Sequence, residues 1–130
     1  MSLARADHDT IRFIAKAVDL TATGTTALTP VFARKFVVKS IKCHYKTVTT
    51  LTVVASASIG NNSTSFNNLM AITVVGVNTA GVDTIVDLTS SLLSVALDTT
   101  STAVTLKVTT GATAAAATCD IHIEGYYAEP

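Results

Sequence analysis

The chain has no tryptophan and little charge, and these two absences exclude several functional classes. Charged residues make up 14% and aromatic residues 5% of its 130 residues, and the formal net charge is zero. This composition excludes a highly charged disordered tail, a basic nucleic-acid-binding arm and a coiled coil. A neutral surface also gives little repulsion between molecules in solution, so we expect part of it to be shared with a partner.

Motifs for catalysis are absent as well. The sequence has only six glycines, and it contains no Gly-x-Ser-x-Gly elbow, phosphate-binding loop, dinucleotide fingerprint or HExxH motif. Its imidazoles are His8, His44 and His122, and none lies in a nucleophile motif. We therefore expect no enzyme and no cofactor. An enzyme would require His44 or His122 in a cleft, within hydrogen-bond distance of a carboxylate.

Long apolar runs are also missing. Charges interrupt residues 1–20, which leaves no apolar core for a signal peptide, and the charge-free residues 47–82 alternate in polarity, unlike a membrane span. We expect neither export by a signal peptide nor a membrane partner. In that setting Cys43 and Cys119 are predicted to be reduced thiols in the core, and one disulfide is the alternative.

The sequence is instead rich in β-branched residues: 15 valines, 8 isoleucines and 23 threonines account for 46 of 130 residues. These side chains fit a pleated sheet better than a helix. A chain of this length forms a single core. We predict an all-β protein with one domain, in which an N-terminal arm and first strand (1–20) precede a β-sandwich (21–130).

Alternation of apolar and polar residues marks the strands. It is clearest over residues 102–110, where Val104, Leu106 and Val108 are predicted to face the core. In residues 36–46 the alternation slips by one residue near Lys39 and Ser40, which predicts a β-bulge. We expect this run to form a hairpin with residues 51–59. Further strands are predicted at residues 10–18, 27–32, 71–77, 84–88, 95–98 and 118–127.

About eight or nine strands separated by turn residues predict an antiparallel β-sandwich or barrel. A jelly roll, an immunoglobulin-like sandwich and a small closed barrel all fit this count. The immunoglobulin-like option lacks its usual tryptophan, so we favour a jelly-roll-like sandwich. One helical turn within residues 87–94 stays open, and the alanine-rich residues 112–117 are interpreted as a loop or strand start.

A polar face on the last strand allows two interpretations. Asp120, His122 and Glu124 share one side of it, opposite Cys119, Ile121 and Ile123. They either converge on a metal ion or form a solvated face, which pairs with Lys42, His44 and Lys46 if the two strands are neighbours. We favour the second, because a half-exposed strand needs polar residues on its outer side, and we predict no metal.

Charge is divided unevenly along the chain. Eight cations and three anions give residues 1–46 a net charge of +5, and one cation and six anions give residues 47–130 a net charge of −5. The two halves either pair within one fold or dock on a partner of complementary charge. Nucleic-acid binding by Arg34, Lys35, Lys39 and Lys42 is disfavoured, because few aromatics lie nearby and the acidic half repels phosphate.

The long basic run over residues 34–46 leads into Thr-Val-Val-Ala-Ser-Ala-Ser-Ile-Gly at 52–60. In this character the chain resembles the small jelly-roll decoration, or cement, proteins of tailed bacteriophage heads. The resemblance implies a protein made in the host cytoplasm that sits on the virion capsid as a homotrimer and stabilises the major capsid protein shell. A phage tail or baseplate component and a carbohydrate- or receptor-binding module are the alternatives. Candidate partner-binding residues are Arg5, Arg12, Arg34, Lys35 and Lys39.

Overall fold

The β-branched runs form antiparallel strands in a computed structural model, which describes residues 10–32, 34–62, 64–75, 84–88, 93 and 95–128. No helix occurs among these residues. The strands within them are β1 (Ile11–Asp19), β2 (Gly24–Ala27), β3 (Phe36–Thr49), β4 (Ala55–Gly60), β5 (Met70–Val75), β6 (Thr84–Leu88), β7 (Ala96–Leu97), β8 (Thr105–Thr110) and β9 (Ala116–Tyr127).

The strands form two antiparallel sheets that face each other. The first sheet has the order β1-β9-β3-β6, with the short β7 paired to the start of β3, and the second has the order β2-β8-β4-β5. Each sheet interleaves early and late strands of the chain, and the order of the eight longer strands is that of a jelly roll. The predicted fold class, an antiparallel β-sandwich, is confirmed.

The core lies between the sheets and follows the predicted alternation. Val104, Leu106 and Val108 are all at most 4% exposed, as expected. The predicted slip in β3 is also present, because the register of β3 against β9 shifts between Val38 and Ser40. This bulge keeps Val38 and Ile41 facing the core although they are three residues apart.

An aromatic cluster closes one end of the core. The ring centroid of Phe36 lies 4.9 Å from that of Phe32 and 6.0 Å from that of Phe13, and Tyr127 packs edge-on against Phe32 at 5.3 Å. Gly125 in β9 makes room for it: a Cβ atom there would lie 2.1 Å from the Val37 carbonyl oxygen and 2.7 Å from Cζ of Phe36. The cluster therefore depends on a residue without a side chain at this position.

The predicted hairpin between residues 36–46 and 51–59 is wrong. β3 continues to Thr49 in the first sheet, whereas β4 begins at Ala55 in the second sheet. Thr50 adopts a left-handed conformation (φ 54°) at the end of β3. The segment that then crosses to the second sheet makes an isolated β-bridge, between Val53 and Thr113. Both runs carry a buried face, and this pattern does not tell a hairpin in one sheet from two facing strands in different sheets.

Other boundaries differ more modestly. The strand predicted at residues 27–32 is wrong: β2 covers Gly24–Ala27, and the chain beyond it includes Pro30, which has no N–H to give to a ladder. The alanine-rich run is a loop that becomes β9 at Ala116, as expected. Of the open helical turn, Asp87 and Leu88 belong to β6, while residues 89–92 and 94 lie outside the described residues, as do residues 76–77.

Leu106→Ala tests the assignment of the core. The side chain is 1% exposed, so we expect the substitution to lower the free energy of unfolding by about 2–5 kcal/mol through lost burial and a residual cavity. Urea unfolding measures this change. Val31→Ala is the matched control, because Val31 is 54% exposed, and it should change stability by less than about 0.5 kcal/mol. Equal losses in the two variants would contradict the assigned inner face of β8.

Candidate interaction surface

The outer face of the first sheet carries most of the charge of the described strands. Alternate residues of β1, β3, β6 and β9 point away from the core there, so residues distant in sequence become neighbours. Lys42 lies between His122 and Asp87, and His44 lies between Asp120 and Ile85. We call this surface the charged face, and its members are Arg12, Lys42, His44, Ile85, Asp87, Asp120, His122 and Glu124.

Ion pairs on the charged face join the basic and acidic halves of the chain. The guanidinium of Arg12 lies 3.5 Å from Glu124 Oε1, and Nζ of Lys42 lies 4.0 Å from Asp87 Oδ1. Both pairs are largely exposed, so each contributes about 0–1 kcal/mol to stability. Part of the charge division therefore serves contacts within the fold, which was one of the two interpretations.

Asp120 has a structural partner. The backbone N–H of Ala17 donates a hydrogen bond of 2.9 Å to Asp120 Oδ1. Ala17 has a positive φ of 54° and lies where the register of β1 against β9 shifts, between Ala15 and Val18. The carboxylate thus satisfies a backbone donor that the bulge takes out of the ladder.

Two histidines form the middle of a shallow groove in the charged face. The rings of His44 and His122 are 6.5 Å apart, and the groove has a volume of about 180 Å³. Burial, followed by the nearby Arg12, holds the pKa of His122 below its usual value, although Asp120 and Glu124 act in the opposite direction. The groove is lined by Arg12, Lys42, His44, Ile85, His122 and Glu124.

The groove holds no recognisable metal site. Within the described part of the chain, no group of three or more His, Cys, Asp or Glu side chains is placed to hold a metal ion. Glu124 is paired with Arg12, and Asp120 on the same face accepts a hydrogen bond from the N–H of Ala17. The groove thus combines charged side chains of both signs with the apolar Ile85.

Four of the five predicted partner-binding cations lie within the described residues, and their surroundings differ. Arg5 lies outside the described residues. Arg12 belongs to the charged face, and Lys39 is exposed at the bulge of β3. Lys35 is exposed just before β3. Arg34 is half-buried and packs against the aromatic cluster instead.

The role of Arg34 within the fold was not predicted from the sequence. Its guanidinium lies 5.0 Å from the ring centroid of Tyr127 and donates a hydrogen bond of 3.4 Å to the carbonyl of Ala128. The backbone carbonyl of Arg34 accepts a hydrogen bond from the buried Thr99 hydroxyl. One signal was present, because Tyr127 continues the inward alternation of Ile121 and Ile123 and so belongs to the core side of β9.

The buried thiols are also structural. Cys43 and Cys119 are free and at most 1% exposed, in agreement with the prediction of reduced core thiols. A hydrogen bond with Cys43, followed by burial, raises the pKa of the Cys119 thiol. Burial raises the pKa of the Tyr45 hydroxyl beside them. Cys119 and Tyr45 are therefore protonated at neutral pH, and the thiol of Cys119 is a poor nucleophile.

The outer face of the second sheet contrasts with the charged face. Its four strands contain a single charged residue, Lys107, whose ammonium donates a hydrogen bond of 2.6 Å to the Thr64 carbonyl. At the β5 edge, Ile72 and Val74 are 61% and 62% exposed. We call this surface the uncharged face, and its members are Thr25, Ser56, Ile72, Val74, Lys107 and Thr109.

Comparison with known proteins shows a likeness in structure but none in sequence. No protein family model matches the sequence, and no curated protein matches it. A chain of the solved structure titled "Cyanophage Pam1 capsid asymmetric unit" is similar with a TM-score of 0.63 and 16% sequence identity, covering 94% of this chain and 87% of that chain. At this identity the likeness shows a shared fold over nearly the whole sandwich. Among the described residues, no helix has the length and apolarity to cross a bilayer.

His122 makes stability depend on pH. The pKa of its imidazole is about 6.5 in the unfolded chain and lower in the folded protein. Between the two pKa values the unfolded chain therefore binds more protons than the folded one. The contribution of His122 is complete above pH 6.5 and is lost as the pH falls through the folded pKa. We expect His122→Gln to weaken the fall in stability below pH 6.5, measured by urea unfolding at a series of pH values. The same pH dependence in both proteins would contradict the assignment.

Proposed function

We propose that this chain is a structural protein of a phage virion that decorates the capsid and binds the major capsid protein. The observation that carries the proposal is the likeness in fold, over 94% of the chain, to a chain from a cyanophage capsid structure. The sequence adds a low charge content and the absence of a nucleophile elbow, a phosphate-binding loop, a dinucleotide fingerprint and an HExxH motif. A rigid sandwich with two broad, chemically different faces suits attachment to a larger assembly.

Stabilisation of the shell follows from mass action. A protein that binds the assembled shell but not its dissociated subunits stabilises the shell by RT ln(1 + [L]/Kd) at each site, about 2.7 kcal/mol at a concentration one hundred times Kd. Many identical sites on a capsid multiply this effect. No chemical step is required, and the carboxylate of Glu124, which lines the groove, is paired with Arg12.

The candidate contact residues on the capsid side are Arg12, Lys35 and Lys39, with Arg5 from the sequence prediction. Lys35 and Lys39 are exposed near the start of β3 and are free of the aromatic packing that holds Arg34. Two exposed lysines near the start of β3 favour an acidic partner surface, because complementary potentials fix orientation and speed encounter. The homotrimer implied by the resemblance is part of this proposal and accounts for a neutral chain with little repulsion between copies.

Sedimentation with phage particles tests the proposal. The purified chain is mixed separately with heads and with tails of the phage that encodes it, prepared without this chain. We expect it to sediment with heads in a saturable manner and to raise the temperature at which they release DNA. Sedimentation with tails only would instead assign it to the tail or baseplate. Binding to glycans without binding to either particle would favour a carbohydrate- or receptor-binding module, and both results would overturn the decoration role.

Charge reversal tests the electrostatic part of the proposal. We expect Lys35→Glu with Lys39→Glu to weaken head binding at least about tenfold and to reduce its dependence on salt, because two attractive contacts become repulsive. Arg34 is left unchanged, since its guanidinium packs on Tyr127.

The matched control is Lys16→Glu with Lys46→Glu, which changes the net charge equally at two other exposed positions. This control should bind heads far more tightly than the test variant. Equal loss in both would mean that only net charge matters, and unchanged binding in both would remove the electrostatic contact.

A further inference from the structure

The four sheet edges are protected to different degrees. Natural edge strands avoid unwanted pairing by carrying charge, bulges or proline. In the first sheet, β1 has Arg12 and Lys16 together with a bulge, and β6 has Asp87. In the second sheet, β5 (Met70–Val75) has neither a charge nor a proline, although its register against β4 shifts between Ala57 and Ile59. The other edge strand of this sheet, β2 (Gly24–Ala27), also has neither a charge nor a proline.

Both edges of the second sheet are also exposed on both sides of the strand. Residues 71–74 are all exposed, including Thr73, which pairs with the fully buried Ala57 and so shares its core-facing side. All four residues of β2 are exposed, including Thr26, which pairs with the buried Leu106. Among the described residues β5 pairs only with β4, and β2 only with β8. Each edge therefore offers backbone donors and acceptors beside exposed side chains.

Strand direction makes the two edges complementary to each other. Every pair in the order β2-β8-β4-β5 is antiparallel, so with four strands β2 and β5 run in opposite directions. Rotating one copy about an axis along the strands brings its β5 beside the β2 of the next copy. That contact is antiparallel as well and extends the sheet in the pattern that it already has.

Charge favours a second copy of this chain as the occupant. The uncharged face offers a charged partner only Lys107, whose ammonium already donates to the Thr64 carbonyl, and β5 and β2 bring no like charges together. An isologous contact of β5 with β5 would leave β2 open in every copy. A head-to-tail contact covers both edges, and it needs no further partner when the rotation closes into a ring.

We propose that copies of this chain associate head to tail through the second sheet, with β5 of one copy pairing antiparallel with β2 of the next in a closed ring. The inference deepens the self-association in the proposed function and rests on it, but it does not require attachment to a capsid. Ile72 and Val74 then lie against the outer residues of β2, Thr25 and Ala27, and lose their exposure.

Disulfide trapping tests which strands meet. Two double variants are made, Thr25→Cys with Ile72→Cys and Thr25→Cys with Val74→Cys, because these outward positions cover two registers. Within one copy the paired cysteines are three strand spacings apart, about 14 Å, too far for a disulfide. The native Cys43 and Cys119 are buried, so the wild-type chain and each single variant serve as controls.

We expect mild oxidation to give covalent multimers of a single maximum size in at least one double variant, and monomers in the controls. Multimers in Ile72→Cys or Val74→Cys alone would show that β5 pairs with β5. Monomers in both double variants would show that the two edges do not meet. Either result would overturn the inference.

The mass of the native assembly provides an independent test. Ile72→Lys places a charge on the β5 edge at a side chain that is 61% exposed, so the fold should persist. We expect light scattering to show a multimer for the wild type and 13.5 kDa for this variant. The control Val95→Lys, at a side chain 50% exposed outside the second sheet, should keep the multimer. A monomeric wild type, or equal masses for wild type and Ile72→Lys, would overturn the inference.

These measurements use the purified chain without particles, so their failure is distinct from failure of the decoration role. A ring that does not bind heads would retain the inference and reject the proposed function. Saturable binding of monomers to heads would do the reverse.

Discussion

The pairing of β3 with β9 is the contact on which the rest of the molecule depends. These are the two longest strands, of 14 and 12 residues, and they lie side by side in the middle of the first sheet. Their inner residues, among them Ile41, Cys43 and Ile123, form one wall of the core. Their outer residues form most of the charged face. Because a strand alternates with a period of two, one register sets both surfaces together, and a slip of one residue would exchange them.

Features that depend on local spacing were predictable from the sequence. The inward side of β8 and the bulge near Lys39 and Ser40 are visible in the alternation of a single segment, and both are confirmed. Features that depend on which segments meet were not. The hairpin prediction failed because alternation in β3 and β4 shows that each strand has a buried face, but not that the two strands belong to different sheets. The stacking of Arg34 on Tyr127, more than ninety residues away, had no local signal on the arginine itself.

The candidate surface shows the same division. The outward side of Asp120, His122 and Glu124 followed from alternation and is confirmed, and the structure places β9 beside the strand that carries Lys42 and His44. The ion pairs Arg12–Glu124 and Lys42–Asp87 could not be predicted, since the order of β1, β9, β3 and β6 is not visible in the sequence. The contrast between a charged and an uncharged face emerges only once the sheets are assembled. We propose contact between copies only for the second sheet, whose strands contain a single charged residue.

We propose that this sandwich works by being attached to a phage head, and electron cryomicroscopy of the native virion is the most direct test. The jelly-roll sandwich would be fitted into the map. We expect density for the chain on the outside of the head, in contact with the major capsid protein and repeated at equivalent positions. A virion whose head and tail density is complete without this chain would contradict it.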